Sequence, residues 1–277
     1  MRNRQDIDKM YLADYHIHST GSPDGRYTMR EMAEEAIRKG MQEICITDHL
    51  DTFYWDGRPR SDYDWAGALA QFREAQEACG DRIVLKLGAE MGEVTQAFDR
   101  AEILRRHCPP LDFVIGSVHT ADAKHNWLDL YYIEPHDTAY YLDIIDGYLG
   151  ELEKLARWGH FDVLGHLTLP LRYINENLGQ RMSFDGYMDR VEEIFRIIIP
   201  KGMGIEVNTN RGNDPLPGPA ILRRYRAMGG EIVTLGSDAH IKEHVGCMIR
   251  ERQELLRSCG FTYFTTYTGR KPVFRPL

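Results

Sequence analysis

Seven short apolar runs rich in Ile, Val and Leu recur along this chain, separated by segments of helical periodicity or by long polar loops. That alternation is the strongest constraint on its fold, because it is the pattern of parallel β/α units. Right-handed crossovers wind such units into a barrel or an open sheet. The runs are Tyr11–Ile17, Glu43–Thr47, Ile83–Ala89, Phe113–Val118, Phe161–Gly165, Met203–Val207 and Glu231–Leu235. The clearest helix starts at Thr28, where Thr28 and Glu31 form a capping box before Met29, Met32, Ala33, Ala36 and Ile37, and Gly40 ends it. Further helices are expected over Trp65–Ala78, Ala139–Arg157, Phe184–Ile199 and Ala220–Met228.

Closed α/β barrels commonly reach 277 residues as one unit, and no Gly/Ser linker, low-complexity tract or repeat divides the chain, so one domain over 1–277 is expected. The net charge of -8 repels phosphate backbones and anionic lipid, which argues against nucleic acid and membrane as partners. It also means that an anionic substrate needs local positive charge, from metals or a few arginines. Cys45, Cys79, Cys108, Cys247 and Cys259 are widely spaced and contain no C-x-x-C pair, which suits a reducing cytoplasm rather than a disulfide framework or a thiolate zinc site. The polar stretch Met1–Met10 and the absence of any apolar run of about 18 residues speak against a signal peptide or a transmembrane span.

In β/α barrels the active site is built where strands end and loops follow. Here strand one ends in Asp14-Tyr15-His16-Ile17-His18, strand two in Thr47-Asp48-His49, strand three in Glu90 and strand four in Ser117-Val118-His119. Strand five ends in Gly165-His166, strand six in Glu206-Val207-Asn208 and strand seven in Ser237-Asp238-Ala239-His240. Six of the eleven histidines occupy these places. Alternate strand residues share a face, so His16 and His18 project together, and Asp238 and His240 do likewise if strand geometry persists. A single histidine after a strand is usually an ordinary surface or core residue. A rim of six with carboxylates is hard to hold together without cations that neutralise it. Imidazole and carboxylate ligands imply zinc, manganese or iron. His107, His125, His136, His160 and His244 fall in helices or loops and receive no role.

These motifs resemble the PHP (polymerase and histidinol phosphatase) family, and more closely its histidinol-phosphatase branch, over nearly the whole chain. The resemblance rests on D-x-H-x-H (Asp14, His16, His18), T-D-H (Thr47 to His49), the Glu of G-A-E (Glu90), S-V-H (Ser117 to His119), G-H (Gly165, His166) and S-D-A-H (Ser237 to His240). It implies a distorted seven-stranded β/α (TIM-like) barrel holding two or three divalent ions. Carried over residue by residue, it makes His16, His18, Glu90 and Asp238 ligands of a first metal. Glu90 would bridge to a second completed by His119 and His166, and Asp24, His49 and His240 would hold a third. Asp24 stands where some relatives carry histidine.

Closely spaced cations suit phosphomonoester hydrolysis, in which like charge repels the nucleophile and the alkoxide leaves poorly. The expected nucleophile is a metal-bridging hydroxide held by Glu90, His119 and Asp238, with inorganic phosphate as product and no covalent phosphoenzyme. No cysteine has an arginine six positions on, and Asp6-Ile7-Asp8 follows a polar stretch, which removes cysteine-dependent and haloacid-dehalogenase chemistry. Arg211, just past strand six, is the leading phosphate contact, with Arg58, Arg60 and Arg172 behind it. The loop Asp51–Asp64 carries Phe53, Tyr54, Trp55, Arg58, Arg60 and Tyr63 and suits a pocket wall or lid. Acidic loop residues would favour a cationic ester such as histidinol phosphate. Another small phosphoester is the alternative. An amidohydrolase ranks lower, since neither Lys86 nor Lys124 is clearly at a strand end to supply a modified bridging lysine. A non-catalytic metal-binding module ranks lower still.

Overall fold

A computed structural model describes residues 10–54, 56–60 and 62–277 of the protein. The stretch 1–9, with Asp6-Ile7-Asp8, and the loop residue Trp55 lie outside the described residues. Seven strands form one parallel sheet in chain order: β1 (Ala13–Ile17), β2 (Glu43–Ile46), β3 (Val84–Met91), β4 (Phe113–Gly116), β5 (Val163–Leu164), β6 (Gly204–Asn208) and β7 (Val233–Gly236). Each overlaps one of the expected runs. The sheet curls into a nearly closed ring, because just beyond β7 Ala239 bridges Ile17 in parallel. There His18 N donates to Ala239 O at 2.9 Å and Asp238 N donates to His16 O at 2.8 Å. The fold is the distorted seven-stranded TIM-like barrel.

β4 and β5 are shorter than their apolar runs: Ser117 N and Gly165 N still donate to Met91 O and Gly116 O, and beyond them side chains take over. His119 N donates to Glu93 Oε1 at 3.3 Å and His166 N to Glu206 Oε2 at 2.7 Å, so these amides leave the strand ladder for carboxylates. The mouth of the barrel is thus organised by side chains where strand pairing ends.

Helices α1 (Met29–Arg38), α2 (Trp65–Cys79), α3 (Phe98–Arg106), α4 (Thr138–Trp158), α5 (Met188–Ile198), α6 (Pro219–Ala227) and α7 (Ile249–Ser258) accompany the strands. The capping box of α1 is formed: Glu31 N donates to the Thr28 hydroxyl at 3.2 Å and Thr28 N to Glu31 Oε2 at 2.8 Å. A cap of this kind contributes about 1 kcal/mol. On α5, Val191, Ile194, Phe195 and Ile198 are buried at helical spacing. That helix begins at Met188, after a 3-10 turn over Asp185–Tyr187, and not at Phe184. Among the described residues no helix is long and apolar enough to cross a membrane.

The chain ends in an antiparallel hairpin, β8 (Tyr263–Thr268) and β9 (Lys271–Pro276), which covers the opposite end of the barrel from the histidines. It is fastened to residues at the N-terminal ends of the strands. Gly269 N donates to Asp112 Oδ1 at 2.9 Å, Arg270 Nε to Asp162 Oδ2 at 2.6 Å and Arg275 Nη2 to Glu43 Oε2 at 3.0 Å. Tyr267 packs on Phe113, and Phe113 on Tyr15, with ring centroids 4.9 and 5.1 Å apart. Fully burying such side chains contributes about 1.5–3 kcal/mol each, so this end of the barrel is a packed base.

Candidate metal centre

Glu90, at the end of β3, is fully buried at the centre of the mouth, and its two carboxylate oxygens face different histidines. Oε2 lies 3.3 Å from His16 Nε2, 3.5 Å from His18 Nε2 and 3.1 Å from His49 Nδ1. Oε1 lies 3.2 Å from His119 Nε2 and 2.9 Å from His166 Nε2, and accepts from Ser117 Oγ at 2.6 Å. Asp238 Oδ1 closes the first group, 3.6 Å from His16 Nε2 and 3.4 Å from His18 Nε2. At the rim, Asp24 Oδ2 lies 3.0 Å from His240 Nε2, and Asp24 Oδ1 lies 3.8 Å from His49 Nε2. All nine residues expected at strand ends or in the Asp24 loop therefore converge on one site. Strand geometry does not persist through Asp238, whose φ is +57°, yet Asp238 and His240 still meet, with Oδ1 and Nδ1 3.6 Å apart.

Four of the six imidazoles, those of His16, His18, His119 and His240, are held from behind. His16 Nδ1 meets Glu206 Oε1 at 2.6 Å, and His119 Nδ1 meets Glu93 Oε1 at 3.2 Å. His18 Nδ1 meets Ser22 Oγ at 3.0 Å, and that hydroxyl is placed by Asp48 Oδ1 at 2.8 Å. His240 Nδ1 meets the carbonyl of Asp238 at 3.0 Å. A carboxylate or carbonyl only accepts, so these partners fix the proton on Nδ1 and turn the Nε2 lone pair inward. His49 is reversed, with Nδ1 inward and Nε2 toward Asp24.

Among the described residues most of the inward atoms find no hydrogen-bond partner. His16 Nε2, His18 Nε2, His49 Nδ1, Glu90 Oε2 and His240 Nε2 are buried and form no hydrogen bond. Leaving one such group unsatisfied costs about 1–3 kcal/mol, so a cluster of them in one place calls for an acceptor of lone pairs. Among the described residues four His, Asp and Glu groups could hold a metal ion: His16-His18-Asp238, His16-Glu90-His166, His18-His49-His240 and His49-Asp51-His119.

The electrostatics make the same demand. Burial works against a charged His16, but Glu206, Glu90 and Asp238 overcome it and raise its pKa well above the usual imidazole range. Burial likewise opposes ionisation of Glu90, yet His16, His119 and His49 hold it well below the ordinary carboxylate range. Burial, and then Asp51 and Glu90 against it, leaves His49 pushed up to about 10. The carboxylates thus draw positive charge onto the imidazoles, and divalent ions at the inward atoms would supply that charge in the protons' place. The donor set fits.

Backbone strain gathers here too. Glu93, His166, Asn210, Arg211 and Asp238 all have positive φ without being glycine. Such conformations typically cost about 1–3 kcal/mol each and persist where the surroundings over-determine them. Gly236 is needed for a different reason: a Cβ there would collide with Glu206 Oε1 and with His16 Cβ.

A cavity of about 860 Å³ opens over the cluster, bordered by His49, His119, His166, Asp238 and His240. Its walls carry Phe53, Tyr54, Trp127, Tyr131, Tyr132 and Tyr173, with the acids Asp51, Glu93 and Asp129. Of the expected phosphate contacts, Arg60 and Arg172 lie on this wall, whereas Arg58 and Arg211 do not. Arg211 is exposed at the left-handed turn after β6, and Arg58 is an exposed partner of Asp56 at 2.6 Å. Arg172 is buried and donates to Asn210 Oδ1 at 2.8 Å, Asp238 Oδ2 at 2.8 Å and Asn208 Oδ1 at 2.9 Å. Lys86 is tied to Thr268 Oγ1 at 2.9 Å at the base and Lys124 to Asp143, so neither takes a bridging place.

Sequence reasoning passed over Glu206, Glu93, Asp51, Ser22 and Asp48 as site residues. Glu206 and Asp48 stood in strand-end motifs and were within reach of that signal. Ser22, Asp51 and Glu93 lie in loops, where no periodicity marks them.

The PHP domain family model matches residues 14–210. A histidinol-phosphatase of Lactococcus lactis is 30% identical over 279 residues, covering 95% of this chain and 96% of that protein. One from Bacillus subtilis is 31% identical over 267 residues, covering 86% and 96% respectively. The solved structure of the L. lactis histidinol phosphate phosphatase, complexed with zinc, L-histidinol and phosphate, shares the fold with a TM-score of 0.77 at 24% identity. It covers 95% of this chain and 98% of that one.

Proposed function

This chain belongs to the PHP domain family, and from that premise we propose that it hydrolyses L-histidinol phosphate to L-histidinol and phosphate. It is a metal-dependent phosphatase. The observation that carries the reading is Glu90, a buried carboxylate whose Oε1 and Oε2 face separate histidine groups under one cavity. His16, His18, Glu90 and Asp238 would hold one ion, Glu90, His119 and His166 a second, and Asp24, His49 and His240 a third. Zinc heads the expected zinc, manganese or iron, since the L. lactis relative was solved with it. Divalent ions held there supply Lewis acidity that eases the ionisation of water near neutral pH and offsets charge on the phosphoryl group.

The chain's own residues do the rest. Glu206, Glu93 and Ser22 keep the imidazoles aimed inward, so the ligand set is organised before substrate enters. Arg172 is the phosphate contact in place of Arg211: three acceptors fix its plane, and it faces the cavity beside His166 and Asp238. Asp51, Glu93 and Asp129 offer negative charge to the amine and imidazole of the substrate, and the ring-rich wall offers stacking faces. The same reading treats 1–277 as one metallophosphoesterase domain, since the C-terminal hairpin seals the base of the barrel. All five cysteines are free, which suits a reducing cytoplasm.

The test is a zinc-, manganese- or iron-replete assay of phosphate release from histidinol phosphate beside phosphotyrosine, a sugar phosphate and a nucleotide. Histidinol phosphate is expected to give the highest kcat/KM. A higher value for another ester would replace the substrate while leaving the phosphatase intact.

A further inference from the structure

Glu206 stands in the middle of β6, is almost fully buried, and contacts two residues proposed to serve different metal ions. Its Oε1 meets His16 Nδ1 at 2.6 Å, and its Oε2 accepts from the backbone N of His166 at 2.7 Å. Asn208 Nδ2 adds a third contact to Oε2 at 3.3 Å. Among the described residues His16 is the one basic side chain that pairs with this carboxylate. From these contacts, and resting on the metal reading above, we infer that Glu206 is a positioning residue that aligns His16 and His166 together and so sets the metal affinity of both groups they belong to.

The physical argument is that one rigid carboxylate serves both ends. Because it only accepts, it requires a proton on His16 Nδ1, which leaves the Nε2 lone pair facing Glu90. The hydrogen bond also raises the basicity of that imidazole as a ligand. At the other oxygen it captures the amide of His166, a residue at φ +20°, and thereby holds a strained turn whose side chain reaches Glu90 Oε1 at 2.9 Å. β7 makes room for this arrangement with Gly236, at whose position a side chain would strike both Glu206 and His16. The amide of Glu206→Gln can still accept from His166 N or sit in the same space. It cannot offer an acceptor to both His16 Nδ1 and His166 N, because one of its two terminal atoms is a donor.

The experiment measures zinc binding directly. Full-length wild type, Glu206→Gln, Glu206→Asp and a control, Glu192→Gln, are stripped of metal, checked for folding by circular dichroism, and titrated with zinc against a chromophoric chelator. Glu192 pairs with Arg224 at 2.6 Å on the outer helices and controls for loss of a helix carboxylate. Glu206→Gln is expected to bind zinc about tenfold to hundredfold more weakly. Glu206→Asp keeps the charge with a shorter reach and should fall between it and wild type, and Glu192→Gln should match wild type. Wild-type affinity in Glu206→Gln, or an equal loss in Glu192→Gln, would overturn the inference. Should Glu206→Gln fail to fold, Glu206→Asp decides by the same criterion. A wild-type chain that takes up no zinc would instead defeat the metal reading on which the inference stands.

Discussion

Replacing Arg172 by lysine separates charge from geometry at the proposed phosphate contact of the cavity. The arginine holds three acceptors at 2.8–2.9 Å in one plane, which a single ammonium nitrogen cannot reproduce. Removing the cation altogether, as in Arg172→Ala, would strand the buried carboxylate of Asp238, and breaking a buried pair of this kind costs about 3–5 kcal/mol of stability. Arg172→Lys keeps a positive charge near Asp238 and is the cleaner probe. A charge-assisted contact to the phosphoryl group contributes about 1.5–3 kcal/mol, which corresponds to a loss of roughly tenfold to hundredfold in kcat/KM. The assay is hydrolysis of histidinol phosphate, competitive inhibition by inorganic phosphate, and metal content, all on the same preparations. Phosphate should inhibit Arg172→Lys less strongly than wild type at equal metal content. Arg211→Ala, at an exposed turn outside the cavity, should behave as wild type. Wild-type efficiency and phosphate inhibition in Arg172→Lys, or the loss appearing in Arg211→Ala instead, would refute the assignment.

Chelation should abolish hydrolysis, and zinc, manganese or iron should restore it; full turnover in exhaustively metal-free protein would remove the metals from the mechanism. Glu90→Ala and His119→Ala should lose both turnover and bound metal, seen by elemental analysis. His125→Ala should lose neither, because His125 is held between Asp122 at 2.7 Å and Asp143 at 3.1 Å, away from the cluster. Gly236→Ala forces a methyl group onto Glu206 and His16, and should lower thermal stability by about 1–3 kcal/mol together with zinc uptake. A melt and a zinc titration indistinguishable from wild type would show that the mouth can yield there.

The barrel strands were legible because most are buried on both faces and so read as short runs rich in apolar residues, Phe113–Gly116 and Val233–Gly236 among them. The elements that escaped notice lack that signature. α3 carries Asp99, Arg100, Glu102, Arg105 and Arg106 and buries only Ala101 and Leu104. α7 buries Ile249 and Leu256 with a polar residue between them, Gln253, whose Nε2 donates to Tyr11 O at 2.7 Å. The hairpin β8–β9 sets Thr and Tyr in one strand against a second strand carrying Lys, Arg and two prolines, and its place is fixed by Asp112, Asp162 and Glu43, partners that sit far away in sequence.

The histidine and carboxylate cluster was legible for a geometric reason: a strand end fixes where a side chain stands, so histidines in that register point to a shared site. A loop fixes no such direction. Arg211 follows β6 closely in sequence, but the left-handed turn at Asn210 and Arg211, with φ of 52° and 54°, carries it out to solvent. Asn210 stays inside and joins Asn208 in holding Arg172, which arrives from the distant π-helical turn Arg172–Asn177. The cation next to the histidine cluster is therefore supplied by a residue far from β6 in sequence, through a pairing with Asp238 that no local pattern encodes. The same pairing reconciles a chain of net charge -8 with an anionic substrate. Arg172 and the divalent ions proposed for the imidazole cluster would together place positive charge at the mouth of the barrel, where a phosphoryl group has to enter against the overall negative field.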